Sequence, residues 1–235
     1  FSVGSWSNFG TMVISIALLG FGLAGTFLTF IQKKVKDHAQ TWLTVTALAL
    51  GPAMVFAHIL AQQVPFNPVL IVSDPAQIWW IGAYYLIYSV PFICGALFIG
   101  VAFIVLSSRV HELYFWNMVG SGIGGLVILF CMYLFPPDYL IIPVLLLSCS
   151  AGILCSMSYE KNVFQVTPFI RKSAAGIAAL VFSLVCIFIW GKISVSDYKA
   201  VSYVRKYPEF SLDHYSYSPL GEMHLYSSSY FHFAP

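Results

Sequence analysis

Six runs, at 9–31, 41–61, 78–107, 114–135, 139–158 and 173–191, contain no Asp, Glu, Lys or Arg. A helix needs roughly 20 mostly apolar residues to cross the hydrocarbon core of a bilayer, and each run is about that long. Charged residues make up only 9% of the 235 and apolar residues 59%. So few charges cannot cover a water-soluble surface, which averages roughly 25% charged residues. The predicted fold is therefore an all-α polytopic membrane bundle of six transmembrane helices spanning 1–191, with lipid as its main solvent. Residues 192–235 are polar by comparison and form a short extramembrane tail.

The third run is the longest, which predicts tilt or projection from the bilayer. Pro52 and Pro91 lie inside runs two and three and predict kinks, tolerable where neighbouring helices satisfy the freed backbone groups. Trp42, Trp79, Trp80, Trp116 and Trp190 lie near run ends, as in an interfacial aromatic belt. The loop 62–77 carries three prolines around an apolar VLIV segment and reads as lying on the membrane surface.

Loop charges orient the bundle. Lys33, Lys34, Lys36, Arg109, Lys161, Arg171 and Lys172 fall in the loops 32–40, 108–113 and 159–172, which share one side. The loops 62–77 and 136–138, on the other side, carry no basic residue. Basic loops stay in the cytoplasm, so both termini are expected outside. Lys192, Lys199, Arg205 and Lys206 follow the sixth run and argue the opposite, but the three loops agree with one another and govern the reading. Phe1 is not a start residue and no signal-peptide pattern is evident, so residues are expected to precede it.

The tail has its own pattern. Residues 196–206 are compatible with a short helix. SLDHYSY (211–217) and EMHLYSS (222–228) flank SPLG, in which Ser218, Pro219 and Gly221 fit positions i, i+1 and i+3 of a type I turn. This predicts a β-hairpin. An isolated hairpin is marginal in water, so it should continue a larger sheet or pack on something, and another protein is the expected partner.

Gly120, Gly122 and Gly125 spell G-x-G-x-x-G, the spacing of a dinucleotide-binding turn. That turn needs a preceding strand and a following helix in a βαβ unit, and YFW before it and VILFCMYLF after it supply neither. The same segment places Gly120 and Gly124, and Ser121 and Gly125, four apart on one helix face. Ala17, Gly20 and Ala24 form a comparable stripe in the first run. Small residues let membrane helices approach closely, so spans one and four are expected to pack through these stripes.

Chemistry-bearing residues are few. Asn117 and His58 are the candidate polar sites within the membrane; an amide bridging helices is one reading of Asn117 and a functional group the other. His58 could serve a haem or quinone, yet a bis-histidine haem needs a facing mate at the same depth and none is evident. The alternative is a helix-end histidine bonded to a neighbour. Arg109 and Glu112 are one turn apart and can pair. Cys94, Cys131, Cys149, Cys155 and Cys186 lie in apolar runs without a C-x-x-C spacing, which reads as buried small hydrophobes rather than a metal or disulfide framework. No catalytic constellation, metal site or cofactor site emerges, and the net charge of +2 without a long basic block gives nucleic-acid binding no support.

ISIALLGFGLAGTFL (14–28), YFWNMVGSGIGG (114–125), DYKAVSYVRKYPEF (197–210) and YSPLGEMHLYSS (217–228) together resemble membrane-integrated spermidine synthase-like proteins of bacteria. Asn117 stands where that pattern usually has Asp. The resemblance implies a bacterial inner membrane, and a Rossmann-like aminopropyltransferase domain beyond Pro235. It transfers no catalytic residue to this chain. Two functions stay open: a non-catalytic membrane subunit or anchor that docks a partner through its tail, and the anchor region of a polyamine synthase-like enzyme. The loop charges place the tail in the periplasm, where a decarboxylated S-adenosylmethionine substrate should be scarce, and so favour the first.

Overall fold

A computed structural model describes residues 10–67, 70–157, 166–192 and 200–230. Helices α1 (Gly10–Asp37), α2 (Ala39–Gln63), α3 (Ala76–Val105), α4 (Val110–Leu134), α5 (Ile141–Met157) and α6 (Val166–Trp190) form a bundle. A short helix α7 (Ala200–Val204) leads to a hairpin of β1 (Ser211–Ser218) and β2 (Gly221–Ser227). Five helices are long and apolar enough to cross a membrane: α1 to α5, the last two with their preceding 3₁₀ turns. The apolar stretch of α6, Gly176–Trp190, is shorter than these. The chain is thus mostly helical and compatible with an integral membrane protein.

The connections differ from the predicted loops. α1 continues through Lys33, Lys34 and Lys36, and a single residue, His38, separates it from α2. α3 reaches α4 through one 3₁₀ turn, Ser107–Arg109. Lysines that read as loop therefore continue the helix, since Lys is a good helix former. α3 has 30 residues and is about 45 Å long at ~1.5 Å per residue, against ~30 Å for the hydrocarbon core. It runs unbroken through Pro91, as α2 does through Pro52.

α2 is the hub. It packs between α3 and α5; α1 lies on α3, and α6 on α5 and α2. One core cluster joins Val55, Leu145, Cys149, Cys186 and Ile187 from α2, α5 and α6. A second joins Leu28, Val35 and Val101 from α1 and α3, with Trp42 and Leu43 of α2 against it. Three described cysteines, Cys131, Cys149 and Cys186, are buried and none is in a disulfide.

Side-chain bonds fix which helix ends lie together. Gln40, at the start of α2, donates to the carbonyls of Cys155 (3.3 Å) and Ser156 (3.2 Å) at the end of α5. His58, near the end of α2, meets the carbonyl of Gly191 after α6 at 3.0 Å. Tyr217 of β1 donates to the carbonyl of Leu134 at the end of α4 (3.2 Å). The hairpin thus sits at the end of the bundle that also holds the ends of α2, α4 and α6. Lys33, Lys34, Lys36 and Arg109 sit at the other end; Lys161 and Lys199 lie outside the described residues.

Candidate functional site

The predicted small-residue seam divides into a filled half and an open half. Gly20 and Ala24 are buried and Ala17 is half-buried, but they face α3 rather than α4. A Cβ on Gly20 would lie 2.6 Å from the Cβ of Phe92, closer than real carbons pack. The answering glycine on α3 is Gly100, against Leu28. Gly51 of α2 against Leu145, and Gly152 of α5 against Leu48, close the α2–α5 seam in the same way. Gly120, Ser121, Gly124 and Gly125 of α4 are exposed, and a Cβ on any of these three glycines would meet nothing within 4 Å. Spans one and four therefore do not form the expected pair. Stripes of small residues report a surface that permits close approach, but both helices carry one, and the stripe does not encode which neighbour will use it.

The two polar candidates are also apart. Asn117 is half-buried on α4, where its backbone carbonyl accepts from the Ser121 hydroxyl at 2.8 Å. His58 is engaged across helices: its Nε2 lies 3.0 Å from the Gly191 carbonyl and 3.1 Å from Nε2 of Gln62 one turn on. A carbonyl only accepts, so the tautomer with hydrogen on Nε2 fits Gly191, with the Gln62 amide turned to present its oxygen. This is the helix-end histidine bonded to a neighbour. It satisfies one of the carbonyls that a helix C-terminus leaves open, and it ties α2 to the root of the tail.

The most organised polar cluster is in the hairpin. β1 and β2 pair antiparallel from Ser218↔Gly221 to Ser211↔Ser227, with an irregularity between Leu212 and His214. Pro219 and Leu220 form the connection. The Ser218 hydroxyl accepts from the Leu220 amide at 3.3 Å, and Gly221 has a φ of 156°, which suits glycine. The predicted turn residues Ser218, Pro219 and Gly221 thus occupy the hairpin turn.

Alternation puts one set of side chains together. Phe210 and Tyr226 have ring centroids 4.8 Å apart, Tyr226 and His224 5.6 Å, His224 and Tyr215 4.8 Å, and Tyr215 and Tyr217 5.8 Å. Glu222 accepts from the Tyr215 hydroxyl at 3.0 Å and lies 3.4 Å from His224 Nε2. Desolvation and the negative charges of Glu222 and Asp138 push the Tyr215 phenol up to about 12. Asp138 lies between α4 and α5, so this aromatic face looks toward the bundle. The period-two spacing of Tyr215 with Tyr217, and of Glu222, His224 and Tyr226, is legible in the sequence; the bond from Tyr217 to α4 has no sequence signal.

On the far side of the hairpin, Met223 and Leu225 are 59% and 58% exposed, and Leu220 at the turn is fully exposed. At the opposite end of the bundle, Arg109 and Glu112 form their ion pair on the surface. Around loop 62–77, Gln77 binds the Asn67 amide (2.8 Å) and Asp74 (2.8 Å), which orders the approach to α3 and lowers the Asp74 carboxyl. Among the described residues no group of His, Cys, Asp and Glu is placed to hold a metal ion. No protein-family model, no curated protein and no solved structure matches this chain.

Proposed function

We propose that the chain is a non-catalytic membrane subunit: a six-span anchor in a bacterial inner membrane that presents its tail hairpin in the periplasm to dock another protein. The observation that supports it is the hairpin itself. It is held on the bundle by Tyr217 through the Leu134 carbonyl, while its outward face carries exposed Met223, Leu225 and Leu220. A two-stranded sheet is marginal alone, and exposed apolar side chains beside an open strand edge are a surface that a partner covers. The bundle supplies lipid contact, and the hairpin supplies recognition.

A second reading keeps the same hairpin as the opening of an aminopropyltransferase-like domain. The short helix α7 falls in the segment 197–210, and the end of β1, the turn and β2 fall in the segment 217–228, two of the segments that carry the spermidine synthase-like resemblance. On that reading the tail lies in the cytoplasm, and the catalytic residues lie outside this chain. A haem or quinone role is the weakest of the three, because His58 already bonds Gly191 and Gln62.

The test is a photo-crosslinking amino acid in place of Leu225, activated in intact cells. The docking reading expects a discrete protein adduct from Leu225 and none from lipid-facing Leu126 of α4, which is 69% exposed. Absence of any adduct from Leu225 would remove the reading.

A further inference from the structure

Among α1 to α5, α4 is the helix with the least support along its length. Among the described residues it buries only Cys131. In its most apolar stretch 6% of residues are buried, against 17% to 33% in the other four. It is held at its ends instead. The 3₁₀ turn Ser107–Arg109 joins it to α3, and Tyr217 bonds the carbonyl of Leu134. Between these ends Gly120, Gly122, Gly124 and Gly125 lie within six residues, and a Cβ on any of them would meet nothing within 4 Å.

Close packing against one neighbour does not account for this set. A seam between membrane helices needs small residues on one face. An α-helix turns by about 100° per residue, so Gly124 lies about 40° round from Gly120, Gly125 about 140° and Gly122 about 200°. The glycines thus surround the helix, and a segment with no Cβ on any side has little to stiffen its backbone. Ser121 supplies an independent sign of bending. Its hydroxyl donates to the Asn117 carbonyl one turn back, at 2.8 Å. Such a bond competes with the helical one and bends helices, and Gly–Ser pairs such as Gly120–Ser121 are among the few places where helices kink sharply. The weak points of the other helices are braced. Pro91 of α3 is buried and the adjacent Phe92 lies on Gly20. Gly51, beside Pro52 of α2, lies on Leu145. Gly22 and Gly25 of α1 are open, but buried Gly20 and Leu28 seat that helix on Phe92 and Gly100 of α3.

We propose that α4 is a hinge helix: it bends at 120–125 and carries the hairpin with its C-terminal half. In lipid the backbone keeps its helical bonds, since no water replaces them, so the motion is a bend and not an unwinding. The twelve residues from Gly122 to Leu134 make about 18 Å of helix. A bend of about 20° moves Leu134 sideways by about 6 Å, and Tyr217 follows through its bond to the Leu134 carbonyl. The hairpin therefore shifts across the end of the bundle. This goes beyond the docking reading and holds whatever the hairpin binds.

Pulsed spin-label distance measurements on the full chain in lipid nanodiscs test it, with the five native cysteines replaced. Leu60→Cys with Tyr133→Cys reads the C-terminal half of α4 against α2, and Lys36→Cys with Tyr114→Cys reads the N-terminal half against α1. All four positions are exposed. The 60–133 distance distribution should be broader than the 36–114 distribution by about 5 Å. G120A/G122A/G124A/G125A adds side chains where there is room for them and should narrow the 60–133 distribution to the width of the other. A 60–133 distribution that is already as narrow with the glycines in place, or that stays broad in the alanine variant, overturns the proposal.

Discussion

Gly20 and Gly124 are both glycines in small-residue stripes of apolar helices, and their surroundings separate them. Gly20 is buried against Phe92, whereas Gly124 faces open space. Gly20→Leu should force α1 off α3 and lower the thermal midpoint in detergent sharply, because overpacking costs about 1–3 kcal/mol or more where backbone must move. Gly124→Leu should leave the midpoint of the monomeric bundle unchanged or raise it slightly, since leucine is the better helix former by close to 1 kcal/mol. Equal losses for the two would place α4 in the core. A second residue-scale prediction concerns Tyr215. Its phenol titrates near 12 in the folded hairpin, against about 10 when unfolded. The folded state holds this proton more tightly, so the contribution is complete below about pH 10 and is lost as pH rises through about 12. Amide exchange in β1 and β2 should accelerate over that window, and Tyr215→Phe should remove the extra alkaline step.

The apolar runs and the hairpin were legible in the sequence because each follows from a period or a length that solvent enforces. Lipid demands long uncharged helices, and SLDHYSY and EMHLYSS alternate around a Pro–Gly turn. Which helices touch was not legible. The sequence of α1 marks Gly20 and Ala24 as a close-packing surface, but Phe92 and Gly100 of α3 determine the partner, and neither stands out in a run where nearly every residue is apolar. The ends of helices are hidden in the sequence for a related reason: Lys33, Lys34 and Lys36 break the hydropathy pattern without breaking the helix. At this scale the contact between hairpin and bundle is the informative one. Tyr217→Phe removes the bond to the Leu134 carbonyl. A single hydrogen bond contributes about 1 kcal/mol, so hydrogen exchange in β1 should speed up about fivefold, while exchange in α2 and α5 stays as in the wild type. Unchanged exchange in β1 would mean that the aromatic face, rather than this bond, seats the hairpin.

The molecule as a whole has two chemically different ends. Lys33, Lys34, Lys36 and Arg109 gather at one, and the hairpin, loop 62–77 and the ends of α2, α4 and α6 at the other. The alternating direction of successive helices ties these groups together, so labelling any member of an end orients all of it. The functional reading depends on that orientation: a periplasmic hairpin favours docking, and a cytoplasmic one favours an enzyme-like domain. The five native cysteines all lie within apolar helices and can be replaced by alanine or serine. Lys36→Cys and Leu220→Cys, both at exposed positions, are then introduced one at a time, and intact cells are treated with a membrane-impermeant maleimide. The account predicts labelling at position 220 and none at 36 until the cells are opened. Labelling at 36 and none at 220 would contradict it, reverse the topology and transfer the lead to the synthase-like reading.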